Sequence, residues 1–340
     1  MKVVLTGMRT TGKLHLGHKV GALDQWVQAQ NTGEYECYFL LADNQALTTH
    51  ADNPALLQQS VRDVVLDWLS VGLDPSLPHV HFVQQSQVYE RHELSILFGM
   101  VAKYAEVMRD PTLKTELERQ EDASIGFMYY PVDQIADIQM VDPMVPGAKL
   151  LVPVGKDQLP HLELAREVVR RFNFMYGQVF TECEGLVGKV GTLVGTDGDA
   201  KMSKSMGNTI NLSDSLEDAF RAIDKMPIDP ARAVRGGNKV PGDPDKAVAI
   251  IYHRALNPNE DEVAEIERLY RLAQIGDSEI KARLKEVMRD LLTPIQERRA
   301  HFMQTANIHD IVYEGTQAAR RACIPVVEAM REHMHLTFPS

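Results

Sequence analysis

Lys2-Val3-Val4-Leu5-Thr6-Gly7-Met8-Arg9-Thr10-Thr11-Gly12-Lys13-Leu14-His15-Leu16-Gly17-His18 carries a short apolar run, a glycine turn and then two histidines. The run at residues 2 to 5 fits a strand buried on both faces of a parallel sheet and ended at Thr6-Gly7. Beyond the histidines, Val20, Leu23 and Val27, with Trp26 between them, fall at helical spacing. Gly7 to Lys13 also fits G-x-x-x-x-G-K, but a P-loop needs Ser or Thr next to ligate magnesium, and position 14 is Leu. A glycine turn followed by two imidazoles at the head of a helix offers a different anion site. The imidazoles can donate to phosphate oxygens, Gly17 lets a ligand come close to the backbone, and the helix N-terminus faces the charge.

Moving outward, the same alternation recurs. Residues 38 to 42 form a second apolar run that stops at Asp43, and residues 80 to 83 and 150 to 154 follow later helical stretches. Strands alternating with helices predict an α/β fold, a doubly wound parallel sheet with ligands at the C-terminal strand ends. After residue 210 the spacing is helical only: Leu216, Phe220, Ile223; Val263, Ile266, Tyr270, Ala273; Ile280, Leu284, Val287, Leu291. Ser213 and Ser278 are the expected N-caps, and residues 225–246, rich in Pro, Gly and Asp, read as an irregular connection. The expected division is a catalytic domain over 1–208 and a C-terminal all-helical domain over 209–340, with the chain free to return to the core near its end.

With 340 residues, 44% hydrophobic and 24% charged, the chain exceeds one typical domain and easily supports a core. No charge-free run is long enough to span a bilayer and the N-terminus has no signal-peptide pattern, so a cytoplasmic protein with no membrane partner is expected. The net charge of −11 argues against an extended nucleic-acid footprint, which is built mainly from Lys and Arg, and no DNA partner is expected. Local patches can still serve: Arg166, Arg170 and Arg171, or Arg289 with Arg298 and Arg299, could meet a nucleic-acid backbone or line a solvated helix face. Cys37, Cys183 and Cys323 are odd in number and widely spaced, which suggests buried thiols rather than disulfides or a zinc site.

Far downstream, Lys201-Met202-Ser203-Lys204-Ser205 places two ammonium groups on a glycine-containing segment. A reaction that expels a polyphosphate gathers negative charge on the leaving group. Cations brought up as that charge develops lower the barrier selectively. The His15-Leu16-Gly17-His18 turn and this lysine loop, in this order, resemble the HIGH and KMSKS signatures of class I aminoacyl-tRNA synthetases. From end to end the chain resembles the bacterial-type tryptophanyl-tRNA synthetases. The matching segments are the signature turn, Ala42-Asp43-Asn44-Gln45-Ala46-Leu47-Thr48, Tyr130-Pro131 with Asp137, Gly155-Lys156-Asp157-Gln158 with His161, and the closing helical region.

That resemblance implies a tryptophan–tRNA ligase that uses ATP with Mg2+ brought by the nucleotide and no metal site of its own. The implied partners are L-tryptophan, tRNA(Trp) and a second copy in a homodimer. His15, His18, Lys201 and Lys204 are the implied catalytic residues. Arg9, Thr11, Gly17, His18, Gly155, Asp157, Lys201, Met202 and Ser203 are the implied ATP site, with Asp157 on the ribose. Leu5, Gly7, Gln45, Tyr130, Gln134, Asp137 and Gln158 are the implied tryptophan site. Asp137 accepts from the indole N–H, and Tyr130 and Gln158 hold the amino group. An indole has one donor and no acceptor, so a carboxylate suits it and penalises phenylalanine.

Gln45 and Gln134 depart from the commoner bacterial His and Met. Tyr130, Gln134 and Asp137 together also resemble the archaeal-type tyrosyl enzymes, where Gln and Asp flank a phenol. A tyrosyl enzyme, a non-catalytic tryptophan-binding paralogue and a nucleotidyltransferase of the same turn therefore remain alternatives. The segment from Met100 to Gln120, with Tyr104, Val107, Met108 and Leu113, is a candidate dimer interface, although core burial gives the same pattern.

Overall fold

A computed structural model describes residues 2–118, 122–155, 158–187, 193–198, 202–203, 206–235 and 240–338. Five strands, β1 (Lys2–Arg9), β2 (Glu36–Ala42), β3 (Val80–Gln84), β4 (Lys149–Val154) and β5 (Cys183–Val187), form one sheet in the order β3-β2-β1-β4-β5. Every neighbouring pair is parallel. The chain steps outward from β1 to β3 and then crosses back to β4, so the strand order reverses between β1 and β4. In open α/β sheets ligands bind at that reversal.

The connections are helical. α1 (Leu16–His18) passes through a π-helical turn (Lys19–Leu23) into α2 (Asp24–Thr32), and α3 (Asp43–His50) and α4 (Pro54–Val71) join β2 to β3. Four helices, α5 (Tyr89–Val101), α6 (Tyr104–Val107), α7 (Pro111–Leu117) and α8 (Ile125–Gln139), lead to β4, and α9 (Leu159–Tyr176) leads to β5. Successive strand residues point to opposite faces. Val4, Phe39, Phe82 and Leu151 enter one core with Trp26 and Trp68; Val3, Leu5, Leu40, Val83 and Leu150 enter the other with Phe98, Ile135 and Val168.

From residue 216 onward the described elements are helical: α10 (Leu216–Lys225), α11 (Pro230–Arg235), α12 (Val248–Leu256), α13 (Glu260–Arg271), α14 (Asp277–Thr305) and α15 (Ile308–His333), with a 3-10 turn at Pro244–Lys246. α15 returns to the sheet and closes its β3 edge. Gly315 lets the helix backbone come close, since a Cβ there would stand 2.6 Å from the Phe82 nitrogen. Thr316 Oγ1 accepts from the Gln84 N–H at 3.0 Å, and Arg320 and Arg331 pair with Glu90 and Glu93 of α5.

Several local expectations are corrected. β1 does not end at Thr6-Gly7: Gly7 pairs in register with Leu40, and the chain turns later, at Gly12, whose φ is +105°. β5 has no apolar run to announce it, because an edge strand carrying Glu184 and Gly185 is only half covered. The N-cap of α10 is Ser215, accepting from the Asp218 N–H, rather than Ser213, and α14 starts after Gly276, with Ser278 inside its first turn. Ala273 lies beyond the end of α13, at φ +55°. The connection at 225–246 holds α11. Cys37, Cys183 and Cys323 are buried free thiols. Among the described residues no helix is long and apolar enough to cross a membrane.

Candidate active site

A cavity of about 170 Å³ opens where the strand order reverses. Its wall comes from Leu5, Thr6 and Gly7 of β1, Leu40 and Ala42 of β2, and Val152, Pro153 and Val154 of β4. Gln45 of α3, Gln134, Asp137 and Ile138 of α8, Ala22, Trp26, Gly155 and Gln158 complete it. Leu5, Gly7, Gln45, Gln134, Asp137 and Gln158 of the expected tryptophan set therefore share one cavity, together with Gly155 of the expected ATP set. Larger hollows lie elsewhere, one between α4 and the α14–α15 junction, but none of these residues lines them.

Asp137 is 5% exposed and its carboxylate is held from two sides. Gln85 Nε2 donates to both oxygens, at 3.0 and 2.8 Å, while Gln85 Oε1 accepts from the Gln45 N–H at 3.1 Å. Arg91, fully buried, places Nε 2.8 Å from Asp137 and Nη2 2.6 Å from Asp133. Burial works against the Arg91 charge, but Asp137 and Asp133 outweigh it and keep it cationic. Burial likewise pushes the Asp137 carboxyl up, to about 7; Arg91 pulls it down, Asp133 adds to the rise and Gln85 opposes it. Two carboxylates share one cation, which leaves a surplus negative charge beside the cavity. Four lone-pair positions on a carboxylate leave Asp137 able to accept one more donor. Gln85 and Arg91 escaped the sequence reading, since their spacing to Asp137 follows no local pattern.

Tyr130 of the expected set stands apart from that lining. It does not line the cavity; its hydroxyl donates to Glu116 Oε2 at 2.8 Å and lies 3.2 Å from His161 Nε2. Burial and then the Glu116 charge push its hydroxyl up. His161 in turn meets Asp110 at 2.6 Å. Burial alone would raise Asp110, yet the His161 bond and the Leu113 and Thr112 N–H groups hold it below the usual carboxylate range. Glu116, His161 and Asp110, distant along the chain, thus build a hydrogen-bonded network around the Tyr130 hydroxyl.

His15 and His18 sit at the N-terminus of α1 with ring centroids 3.8 Å apart. The His15 N–H donates to His18 Nδ1 at 3.1 Å, so neutral His18 carries its hydrogen on Nε2 and presents a donor. Gly17 packs against the His15 ring, where a Cβ would come within 3.0 Å, and 3.7 Å from Met202 Cβ. The signature turn and the downstream loop are thus neighbours. Residues 14 to 16 bond residues 210 to 212 through Leu16 N–H to Ile210 O and Leu212 N–H to Leu14 O. Met202 is buried with its N–H on Leu193 O, and Ser203 N–H donates to Asn208 Oδ1 at 2.8 Å. Asn208 Nδ2 donates to Asp197 at 3.0 Å. Lys201, Lys204 and Asp157 lie outside the described residues. Arg9 stands exposed at the end of β1, and Thr11 follows with its N–H on Arg9 O.

Asp67 of α4 is a further residue the sequence reading passed over. It is fully buried, accepts from the Leu14 N–H at 3.0 Å and from Arg299 Nε at 2.9 Å. Burial pushes its carboxyl up against both bonds. A charge inside Val64-Val65-Leu66-Asp67-Trp68-Leu69 was the available signal, because a carboxylate in a buried run needs a partner.

The two arginine sets are largely spent internally: Arg166 and Arg170 on Glu163, Arg171 on Glu106, Arg289 on Glu286, Arg298 on Ser70 O and Arg299 on Asp67 and Asp63. Of the candidate interface segment, Val107 and Leu113 are core residues while Met100 and Tyr104 are exposed. Among the described residues no group of three or more His, Cys, Asp or Glu could hold a metal ion.

Residues 1–293 match the family of class I tRNA synthetases for W and Y. The tryptophan–tRNA ligase of Thermotoga maritima is 41% identical, covering 98% of this chain and 99% of that one. That of Treponema pallidum is 39% identical over 98% and 97%. Among solved structures, the tryptophanyl-tRNA synthetase of Campylobacter jejuni, complexed with ADP and tryptophan, superposes with a TM-score of 0.81 at 28% identity, covering 98% of this chain and all of that one. The Mycoplasma pneumoniae tryptophanyl-tRNA synthetase, at 22% identity and a TM-score of 0.80 over 99% and 98%, shares the fold. The chain belongs to the class I tRNA synthetases and, within them, to the tryptophan–tRNA ligases.

Proposed function

We propose that tryptophan binds in the cavity at the β1–β4 reversal with its indole N–H on Asp137, and that ATP lies along the signature turn. The observation that carries this reading is the convergence of Asp137, Gln134, Gln45, Gln158, Leu5 and Gly7 on one cavity where the strand order reverses. The tryptophan carboxylate attacks the α-phosphorus, the bond to the bridging oxygen breaks, and pyrophosphate leaves. His18 Nε2–H and His15 bind phosphate oxygens; Lys201 and Lys204 neutralise the leaving group as its charge grows. Magnesium enters with ATP and shares that charge. Arg9, Thr11, Gly17, Gly155, Asp157, Met202 and Ser203 cradle the nucleotide.

In the second step a hydroxyl of the terminal ribose of tRNA(Trp) attacks the acyl carbonyl and AMP departs. The amino group of tryptophan is held by Gln158, with Tyr130 supporting from its Glu116–His161 network. The helical part, 209–340, which follows the catalytic part at residue 208, receives the tRNA. Exposed Ile96, Met100 and Tyr104 on α5 and α6 support a homodimer face. The enzyme works in the cytoplasm, where its tRNA is used, with no DNA partner. Purified protein with ATP and magnesium should exchange labelled pyrophosphate into ATP in the presence of tryptophan and without tRNA. No exchange across all twenty amino acids would overturn the reading.

A further inference from the structure

One residue of the cavity wall carries a polar atom for which tryptophan itself has no use. Gln134 Oε1 is buried and has no hydrogen-bond partner. Gln134 precedes Asp137 by three residues on α8, which puts both side chains on one helix face, and both line the cavity. Asp137 accepts from Gln85 and pairs with Arg91, and an acceptor cannot satisfy the amide oxygen. An indole offers a single donor, and Asp137 takes it. With tryptophan seated, Gln134 stays dry and unpaired as it stands in the structure, and a polar substituent on the ring would supply the missing partner.

Resting on the proposal that Asp137 reads the indole N–H, we infer that this pocket takes tryptophans bearing a hydroxyl or amino group on the benzo ring, recognised by Gln134. The amide can present its oxygen or, turned over, its NH2, and a hydroxyl both donates and accepts, so the two match in either orientation. A methyl or halogen of similar size leaves the amide as dry as hydrogen does. A carboxylate substituent is disfavoured by the surplus negative charge of Asp133 and Asp137 over Arg91.

The test is pyrophosphate exchange by the full-length enzyme with tryptophan, with its 4-, 5-, 6- and 7-hydroxy isomers, with methyl isomers at the same positions, and with tyrosine. At one ring position or more the hydroxyl should exceed the methyl in kcat/KM by about tenfold. In Gln134→Met that ratio should fall to near one. Equal use of hydroxyl and methyl at every position by the unaltered enzyme overturns the inference without any variant, so a misfolded variant cannot rescue it. A ratio that survives Gln134→Met overturns the role of Gln134, and a Gln134-dependent gain confined to tyrosine overturns the assignment to indoles. Loss of exchange with tryptophan itself would instead sink the reading on which the inference rests.

Discussion

Asp137 and His15 both sit beyond C-terminal strand ends, yet their supports come from different parts of the chain. Asp137 is fixed by Gln85 and Arg91, which leave β3 and enter α5, and by its own helix α8. The signature turn is fixed by Asp67 of α4, by residues 210 to 212 and, through Asp67, by Arg299 of α14. The proposed amino-acid end of the site is therefore held by residues that follow β3 and open α5, elements that α15 braces from outside. The proposed nucleotide end is tied to α14 through Asp67, so a shift of α14 reaches Leu14 by way of the Arg299 bond.

The comparison is broken most forcefully at Arg91. Arg91→Met leaves Asp133 and Asp137 without their cation, and loss of one partner of a buried pair costs about 3–5 kcal/mol. Denaturant unfolding should show that loss, with the ATP KM changed less than the tryptophan KM; the reverse order would erase the distinction between the two ends. Asp137→Asn comes next. It exchanges a charged acceptor for an amide, and kcat/KM for tryptophan should drop roughly 10- to 100-fold. Gln134→Met should cost tryptophan less than Asp137→Asn does.

Asp67→Asn tests the nucleotide end. Weakening the Leu14 and Arg299 bonds should lower kcat or raise the ATP KM by about tenfold. Tryptophan affinity measured by equilibrium binding should move far less, and equal damage to both would mean the two supports are one. The smallest effect concerns protons. The folded Asp137 carboxyl titrates at about 7 against 3.8 ordinarily, so its ionisation opposes folding and stability declines as pH rises from 3.8 towards 7. An indole N–H favours the ionised form, so tryptophan binding near pH 7 should release protons. Calorimetry in buffers of differing ionisation enthalpy reads that release, and Asp137→Asn should abolish it.

Strands β1 to β4 and the spacing of α10, α13 and α14 were legible because continuous apolar runs and 3.6-residue periods report burial directly. β5 was not, since an edge strand with Glu184 and Gly185 lacks that signal. The residues gathered in the cavity were legible through family resemblance, while Gln85, Arg91 and Asn208 were not: each acts on a partner that only the tertiary fold brings near. Tyr130 shows the same limit from the other side, as its hydroxyl is engaged by Glu116, fourteen positions away, and by His161, thirty-one away. Caps one or two residues from their expected positions, such as Ser215, reflect competing serines in one short segment.

The closure of the β3 edge by α15 has a consequence in time. Gln84 and Thr316, which meet at that edge, are 232 residues apart. At a synthesis rate of about 5–20 residues per second, the strand emerges from the ribosome roughly 10–50 s before the helix that covers it. Throughout that interval the nascent sheet presents an open row of backbone N–H and C=O groups, able to pair with another chain. The last helix is therefore also the step that ends the chain's most aggregation-prone period. Released chains truncated before Ile308 should hold chaperones that the full-length chain, with α15 in place, does not.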